Sequence, residues 1–475
     1  MRRMTRSRRT GKLGAGKGVF AAPGRLAAAL AIALLAAACG DFDQPSLTRQ
    51  ELLDPETCAD CHPDHYREWS GSMHAYSSDD PVFTAMNQRG QRETDGQLGD
   101  FCVKCHAPMA VLEGATTDGL DMESVPRELR GVTCYFCHSV DRVEDTHNNP
   151  LVLADDLAMR GGIRDPVDNG KHASAYSPLH NRDAAESSGL CGSCHDIVTD
   201  AGVHLERTYK EWQESLFGQD GPGHLSCNDC HMTGTPGVVA DFDGVPLRRR
   251  NEHTFAGVDQ ALTDWPEKEG QLAAIARDLD PVLQPRICVE MDPTPQVRIR
   301  LDNVSSGHMW PSGASQDRRA WVEWIAYDEA GEVMAQGGVV EPGVPVVSLE
   351  GVDDNLWLLR DRTLDADGET THMFWDVAEI ESELLPPAVT NDRNDPAFYH
   401  AVEKFFSLPN VPTRVTMRVR MEPIGLDVID DLVESDDLAP AVRDASVETL
   451  LTLAGSEKEW TLDGTGLFQC EPNIP

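Results

Sequence analysis

Apolar and polar residues alternate with a period of two in the carboxy-terminal part of the chain. The alternation runs through VRIRLDNV at 297–304 and RVTMRVRME at 414–422, and WVEWIAYDEAGEVMAQGGVV at 321–340 carries it on both sides of Gly331. Such alternation indicates strands that bury one face, and neighbouring strands of this kind commonly pair antiparallel. We therefore predict an antiparallel, sandwich-like β-domain over residues 285–475.

The residues before this domain follow other patterns. DWPEKEGQLAAIARDLD at 264–280 has helical periodicity and predicts a helical linker at 258–284. Residues 58–257 are rich in Gly, Asp, Ser and Pro, which predicts short helices and long loops. The predicted fold class is α+β, with a mainly α and loop domain ahead of the β-domain.

The amino-terminal residues predict a targeting segment. MRRMTRSRR precedes an apolar run at 26–39 that is too short to span a bilayer and ends in small residues. Residues 1–39 are therefore predicted to be a secretory signal, followed by a tether at 40–57. The closing Ala-Ala-Ala-Cys resembles a bacterial lipobox, in which Cys39 is acylated and anchors the protein to a membrane. Ordinary cleavage after Ala38 is the alternative.

With either form of cleavage, we expect the chain to be exported in a Gram-negative-type bacterium. It would then be in the periplasm or be anchored to the outer membrane as a lipoprotein. The net charge is −38, and residues 1–39 contribute eight basic residues and no acidic ones, which leaves −46 for the rest. A negative field of this size repels nucleic acid and anionic lipid, so neither is expected as a partner. It favours a basic protein partner, or else serves only to keep the protein soluble.

The spacing of the cysteines predicts the cofactor. Ten of the thirteen cysteines form five Cys-x-x-Cys-His motifs: CADCH (58–62), CVKCH (102–106), CYFCH (134–138), CGSCH (191–195) and CNDCH (227–231). Zinc sites do not require a histidine directly after paired cysteines, and thioredoxin-like dithiols occur once or twice rather than five times. Covalent haem explains every position, because two thiols bond the porphyrin vinyl groups and the histidine ligates the iron. We therefore predict five covalently bound haem c groups.

Each cysteine then has an assignment. The haem thioether cysteines are Cys58, Cys61, Cys102, Cys105, Cys134, Cys137, Cys191, Cys194, Cys227 and Cys230, and the proximal iron ligands are His62, His106, His138, His195 and His231. Besides Cys39, Cys288 and Cys470 remain. We predict a disulfide between them in an oxidising compartment, with two free buried thiols as the alternative.

The first motif is followed by more histidines than one iron can use. CADCHPDHYREWSGSMHA, residues 58–75, contains His62, His65 and His74. The two ligands of one iron approach opposite faces of the porphyrin, so His65, on the same helical face as His62, is not its second ligand. If the helix continues, His74 lies roughly 18 Å from His62 along the axis. His74 is therefore predicted to ligate a different haem.

These motifs resemble a known family. CxxCH…YxxWxxSxHA is similar to the opening of the cytochrome c-552/4 domain, found in small multihaem electron carriers that partner hydroxylamine oxidoreductase. GVTCYFCHSV, LCGSCHD and CNDCHM resemble later haem segments of the same class, and the resemblance covers about residues 55–257. It implies haems packed in close parallel and perpendicular pairs.

Histidines outside the motifs are the candidates for distal ligands. His172 and His253 lie in KHASAYSPLH and NEHTFAG, which resemble distal-ligand segments of this class, and His308 lies in the Gly- and Pro-bounded loop GHMWPSG. The full candidate set is His74, His172, His253, His308, His147 and His180. Two imidazoles per iron imply comparatively low reduction potentials. His372 and His400 are expected at the surface.

Electron transfer between redox partners is the function that these features favour. The alternative is an oxidoreductase of the nitrite reductase or hydroxylamine oxidoreductase type, which needs one haem with an open distal face. The lysine-ligated CxxCK motif typical of pentahaem nitrite reductases is missing. The sequence therefore leaves catalysis undecided, and a third interpretation makes the β-domain a module for docking partners.

Overall fold

The computed structural model describes residues 46–291, 293–464 and 470. From Leu47 onward the chain forms one compact unit. The predicted signal at 1–39, including Cys39, and the first residues of the predicted tether lie outside the described residues. Among the described helices, none is long and apolar enough to cross a membrane.

Short helices and long loops build the first half of the unit. The α-helices are Arg49–Leu53, Pro55–Ala59, Pro63–Ser70, Met73–Tyr76, Pro81–Glu93, Val103–His106, Pro108–Leu112, Cys134–Ser139, Ser187–Gly192, Thr208–Glu214 and Cys227–His231. Two-stranded sheets pair Val140–Val143 with Leu151–Leu153, Ala158–Gly161 with Ala173–Tyr176, Ile197–Val198 with His204–Glu206, and Gly234–Gly237 with Arg248–Asn251.

Polar caps begin several of these helices. Thr48 and Glu51 form a reciprocal capping box, in which each side chain accepts a hydrogen bond from the other's backbone N–H. Asp54 and Asp80 each accept a backbone N–H at a helix that starts with proline. Helices of four to eight residues are not stable in isolation, so tertiary packing must hold them.

The segment between His62 and His74 differs from the sequence prediction. One helix spans Pro63–Ser70 and a separate one spans Met73–Tyr76. The helix therefore does not continue from His62 to His74, and the axial distance that assumed a continuous helix does not apply.

The interruption has a local cause and a long-range cause. The Ser72 hydroxyl accepts a hydrogen bond from the Ala75 N–H and so caps the second helix. A Cβ at Gly71 would lie 2.5 Å from the Cβ of Glu267. The close approach of this distant residue therefore requires glycine at the break.

Antiparallel sheets dominate the second half. A six-stranded sheet contains Val333–Gly337, Arg319–Tyr327, Arg414–Glu422 and Leu451–Thr452 in that order, with Trp357–Leu359 and Lys458–Thr461 also paired to it. A three-stranded sheet has the order Val402–Ser407, Gln296–Leu301, Arg286–Glu290, and Asp361–Leu364 pairs with Glu379–Ser382. The antiparallel strands predicted from the alternation are confirmed.

Helices accompany these sheets. Lys268–Leu279 lies within the segment predicted to be helical, and Glu267, with a left-handed φ of 56°, begins it. Leu426–Glu434 and Pro440–Val447 are helices that the sequence analysis did not predict. The domain boundaries at 257 and 285 remain predictions.

The two larger sheets share one hydrophobic core. Ile299 from the smaller sheet and Val419 and Trp324 from the larger one are buried in the same cluster. The rings of Trp324 and Phe406 lie 5.0 Å apart and join the two sheets. Cys288, in the same cluster, forms a disulfide with Cys470 at a Cα–Cα distance of 5.3 Å.

Candidate cofactor site

One large cavity lies among the five Cys-x-x-Cys-His motifs. Its volume is about 1690 Å³, and all ten motif cysteines and all five motif histidines line it. Single-ligand pockets are commonly about 300–1,000 Å³, so this space suits several ligands. His195, for example, lies inside the protein. Its side chain is nevertheless solvent-accessible, because it faces the cavity.

Each motif is wound into one helical turn. The backbone N–H of the motif histidine donates to the backbone carbonyl of the first motif cysteine, at 2.8 Å for His62 and 3.2 Å for His106. Thr133 caps the third motif by accepting the Phe136 N–H. The turn brings both thiols and the histidine of a motif to one side of the backbone, which is the arrangement that thioether attachment needs.

Backbone carbonyls orient the motif histidines. The Nδ1 atoms of His62, His106, His138 and His231 lie 2.7, 3.0, 2.5 and 2.9 Å from the carbonyl oxygens of Val239, Ser77, Arg160 and Ala256. Donation from Nδ1–H leaves Nε2 free to bind a metal. Burial lowers the pKa of His106 and His138, which favours the neutral, metal-binding imidazole.

Four motif histidines face a second histidine across the cavity. The centroid distances are 6.3 Å for His62 and His172, 6.2 Å for His195 and His74, 6.4 Å for His138 and His253, and 6.5 Å for His231 and His308. Two metal–nitrogen bonds of about 2 Å each, plus the distance from each nitrogen to its ring centre, give roughly 6 Å. The four gaps therefore fit one metal ion each.

Three of the facing histidines are oriented as the motif histidines are. The Nδ1 atoms of His172, His253 and His308 lie 3.1, 3.1 and 2.8 Å from the carbonyl oxygens of Ala173, Asn251 and Met309. Nε2 is again left free for the cavity side.

His180 and His147 have different surroundings. His180 stacks near His138 at 5.3 Å, but its Nε2 lies 2.8 Å from the carbonyl oxygen of Cys137. His147 does not line the cavity, because backbone hydrogen bonds from Asn148 and Asn149 hold its loop elsewhere.

Two further histidines, expected at the surface, are partly buried and paired with acids. Only 21% of the His372 side chain and 14% of the His400 side chain are exposed. Each histidine pairs with carboxylates: His372 with Asp427 and Asp431, and His400 with Asp302.

The second motif has a different neighbour, which sequence reasoning missed. Among the ring contacts of the described residues, His106 contacts Phe83 and no histidine, with centroids 4.3 Å apart and planes 13° from parallel. That gap is too short to contain a porphyrin and its iron, so Phe83 lies beside the imidazole rather than opposite it. No local signal distinguished Phe83 from other apolar residues of the helix Pro81–Glu93.

Thiols of different motifs lie within hydrogen-bonding reach of each other. Cys58 of the first motif meets Cys134 of the third. Cys194 of the fourth motif meets Cys105 of the second, and Cys191 of the fourth meets Cys227 of the fifth. The attachment points are therefore packed side by side, with the fourth motif next to two others.

The family comparison agrees with this geometry. Residues 57–139 match the family model described as cytochrome c554 and c-prime. This stretch of the chain resembles the multihaem c-type cytochromes. Cytochromes of that kind bind haem c covalently, and the thiols, free Nε2 atoms and cavity described above fit that cofactor.

A solved structure has a similar fold. The chain resembles the crystal structure of a penta-heme cytochrome c552 from Thermochromatium tepidum, with a TM-score of 0.60 and 20% sequence identity. The match covers 87% of this chain and 99% of that chain. At this identity the likeness shows the fold alone. No curated protein matches the chain.

Proposed function

We propose that the protein is an exported pentahaem electron carrier. The observation that supports this most directly is the single cavity lined by all five motifs, with four histidine pairs spaced to hold one iron each. The penta-heme composition named for the structurally similar cytochrome supports the same count. Haem c supplies the electron-carrying iron, and the chain supplies spacing, axial ligands and a water-poor surrounding.

We assign the distal ligands as His172 for the first motif, His253 for the third, His74 for the fourth and His308 for the fifth. Each assignment follows from a centroid gap of 6.2 to 6.5 Å. His180 is not assigned because its ring centroid lies only 5.3 Å from that of His138, which is shorter than the roughly 6 Å needed to hold a metal ion between them. Four bis-imidazole sites favour comparatively low reduction potentials.

The thiol contacts suggest a route for electrons. The pairs Cys58–Cys134, Cys105–Cys194 and Cys191–Cys227 bring attachment points of neighbouring motifs together. Cys137 also acts electrostatically on Cys191 and Cys194. The fourth motif is thus the proposed junction, with the first motif reaching it through the third.

Export and partner choice remain part of the proposal. The predicted signal at 1–39 carries the chain out of the cytoplasm, and an acylated Cys39 would anchor it to a membrane. The net charge of −38 supports a basic redox protein as partner. Separate domains at 58–257 and 285–475 would divide the haem-binding and β-rich parts.

The second motif supports a second candidate function. Because His106 has Phe83 rather than a histidine as its ring contact, its haem is proposed to keep an open distal face. An open iron binds small ligands, as an oxidoreductase of the nitrite reductase or hydroxylamine oxidoreductase type requires. Nitrite- or hydroxylamine-dependent turnover by the purified protein would support this candidate.

Spin state and carbon monoxide binding test both candidates. The reduced wild-type protein should bind one carbon monoxide per chain at an otherwise low-spin set of haems. The His308→Ala variant should bind two, because it opens the fifth motif's haem. Absence of binding by the wild type would reject the open second site, and binding of two or more would reject the proposed histidine pairs.

A further inference from the structure

Acidic side chains and one arginine face the cavity beside the fourth motif. Glu206, Asp259, Asp317 and Arg318 all line it. Arg318 is 9% exposed, and its charge is close enough to act on His195. These four residues are therefore neighbours of the fourth haem site.

The hydrogen bonds of Arg318 are directed to other groups. Nη1 and Nη2 donate to the two carboxylate oxygens of Asp259 at 2.8 and 2.9 Å. Nε donates to the Ser312 carbonyl at 2.9 Å, and Nη1 also donates to the Pro423 carbonyl at 3.0 Å. Glu206 and Asp317 therefore interact with Arg318 through its charge alone and accept no hydrogen bond from it.

Glu206 ends the strand His204–Glu206 with a carboxyl group that acids surround. Burial raises its pKa to about 7; Arg318 lowers the pKa, while Asp317, Asp259 and Glu211 raise it. One arginine paired with Asp259 is too little positive charge to keep every carboxylate of this group ionised.

Asp317 directly precedes Arg318 in the chain and lines the same cavity. Burial raises its pKa to about 6, against the opposing charges of Arg319, His372 and Arg318, and Asp427 raises it further. Porphyrin that fills the cavity excludes water, so both carboxyl groups stay in a weakly polar surrounding.

We propose that Glu206 and Asp317 form a proton-binding site that takes up a proton when the cytochrome accepts an electron at the fourth motif. The inference rests on the proposed haem at that motif. The electron comes from the redox partner and reduces ferric iron to ferrous iron, which removes one positive charge beside the cluster. The proton comes from solvent and converts a carboxylate into a carboxylic acid. Electron and proton binding strengthen each other reciprocally.

Potentiometric titration followed by absorbance tests the proposal on the haem-loaded protein. Between about pH 5.5 and 8.5, one midpoint potential of the wild type should fall by up to about 59 mV per tenfold drop in proton activity, the limit for one proton per electron. Glu206→Gln and Asp317→Asn should each reduce that slope to less than half. Glu214→Gln is the matched control, because the Glu214 side chain is 65% exposed. It should leave the slope unchanged.

Proton uptake provides a second readout that needs no variant. Reduction of the wild type in weakly buffered solution should raise the pH reported by an indicator dye. The proton site would be overturned if the midpoint potentials did not depend on pH. It would also be overturned if the slope of potential against pH were the same in Glu206→Gln, Asp317→Asn and the control Glu214→Gln. Failure of the proposed haem at the fourth motif would be distinct, because its absorbance change on reduction would be missing at every pH.

Discussion

The ring of His74, on the helix Met73–Tyr76 shortly after the first motif, faces the ring of His195 in the fourth motif at 6.2 Å. The segment that carries the first attachment site thus contributes to the site of another motif. Backbone hydrogen bonds from Val132 to His74 and from Ser72 to Trp69 hold this segment in place.

Replacing His74 should convert one haem from low spin to high spin. In His74→Ala the fourth motif's iron loses its proposed distal imidazole, so carbon monoxide binding should rise by one per chain. Electron paramagnetic resonance and carbon monoxide difference spectra measure this change. His147→Ala is the control, because His147 does not line the cavity. Equal spectra for both variants would reject the assignment of His74.

Removing the Phe83 ring should destabilise the protein. Phe83 is 8% exposed and stacks on His106. Phe83→Ala should lower the free energy of unfolding by about 3–5 kcal/mol, as large-to-small core substitutions do. Denaturant titration followed by circular dichroism measures it. Phe405→Ala, at a side chain 48% exposed, should cost about 1 kcal/mol or less. Similar losses in the two variants would contradict the buried packing of Phe83.

Loss of the disulfide should weaken the β-rich part without releasing haem. Cys288 and Cys470 are 182 residues apart in sequence, so their bond constrains a long loop in the unfolded chain. Cys470→Ser should lower the free energy of unfolding by about 2–4 kcal/mol. Thiol reductant on the wild type should cause a matching loss while the number of attached haems stays unchanged. No change in either experiment would mean that the bond does not constrain the unfolded chain.

His372 should make stability depend on pH. Its Nε2 and Nδ1 each lie 3.1 Å from a carboxylate oxygen, of Asp427 and Asp431 respectively. Burial lowers the pKa of His372, but the hydrogen bonds and charges of these aspartates outweigh burial and raise it overall. The stabilisation is therefore complete below the unfolded pKa of about 6.5 and is lost as the pH rises through the higher folded pKa.

His372→Gln should remove this dependence. At about pH 6 the variant should lose about 1–3 kcal/mol, the usual contribution of hydrogen bonds to charged groups, and the loss should shrink at higher pH. Unfolding by denaturant at several pH values measures it, with His147→Gln as control. A loss that is the same at every pH would contradict the charged, bridging histidine.

Patterns that repeat locally were readable from the sequence. The strands Gln296–Leu301, Arg319–Tyr327 and Arg414–Glu422 followed from alternation of apolar and polar residue types. Burial alternates in Arg414–Glu422, whereas the first six residues of Arg319–Tyr327 are all buried. Leu426–Glu434 also carries a readable helical pattern, with Leu426, Ile429 and Leu432 buried, but it was not recognised within a segment assigned to strands.

Features that depend on distant residues were not readable. The break at Gly71 depends on Glu267, and the contact of Phe83 with His106 depends on how a helix packs. The candidates His74, His172, His253 and His308 were named from sequence, but their facing partners needed the structure.

Intact mass of the purified, denatured polypeptide tests the central claim most directly. Thioether bonds survive denaturation, so the account predicts an added mass of five haem groups. The haemochrome absorbance should likewise correspond to five haems per chain. A colourless polypeptide, or one carrying fewer than five haems after export in a host that matures c-type cytochromes, would contradict it.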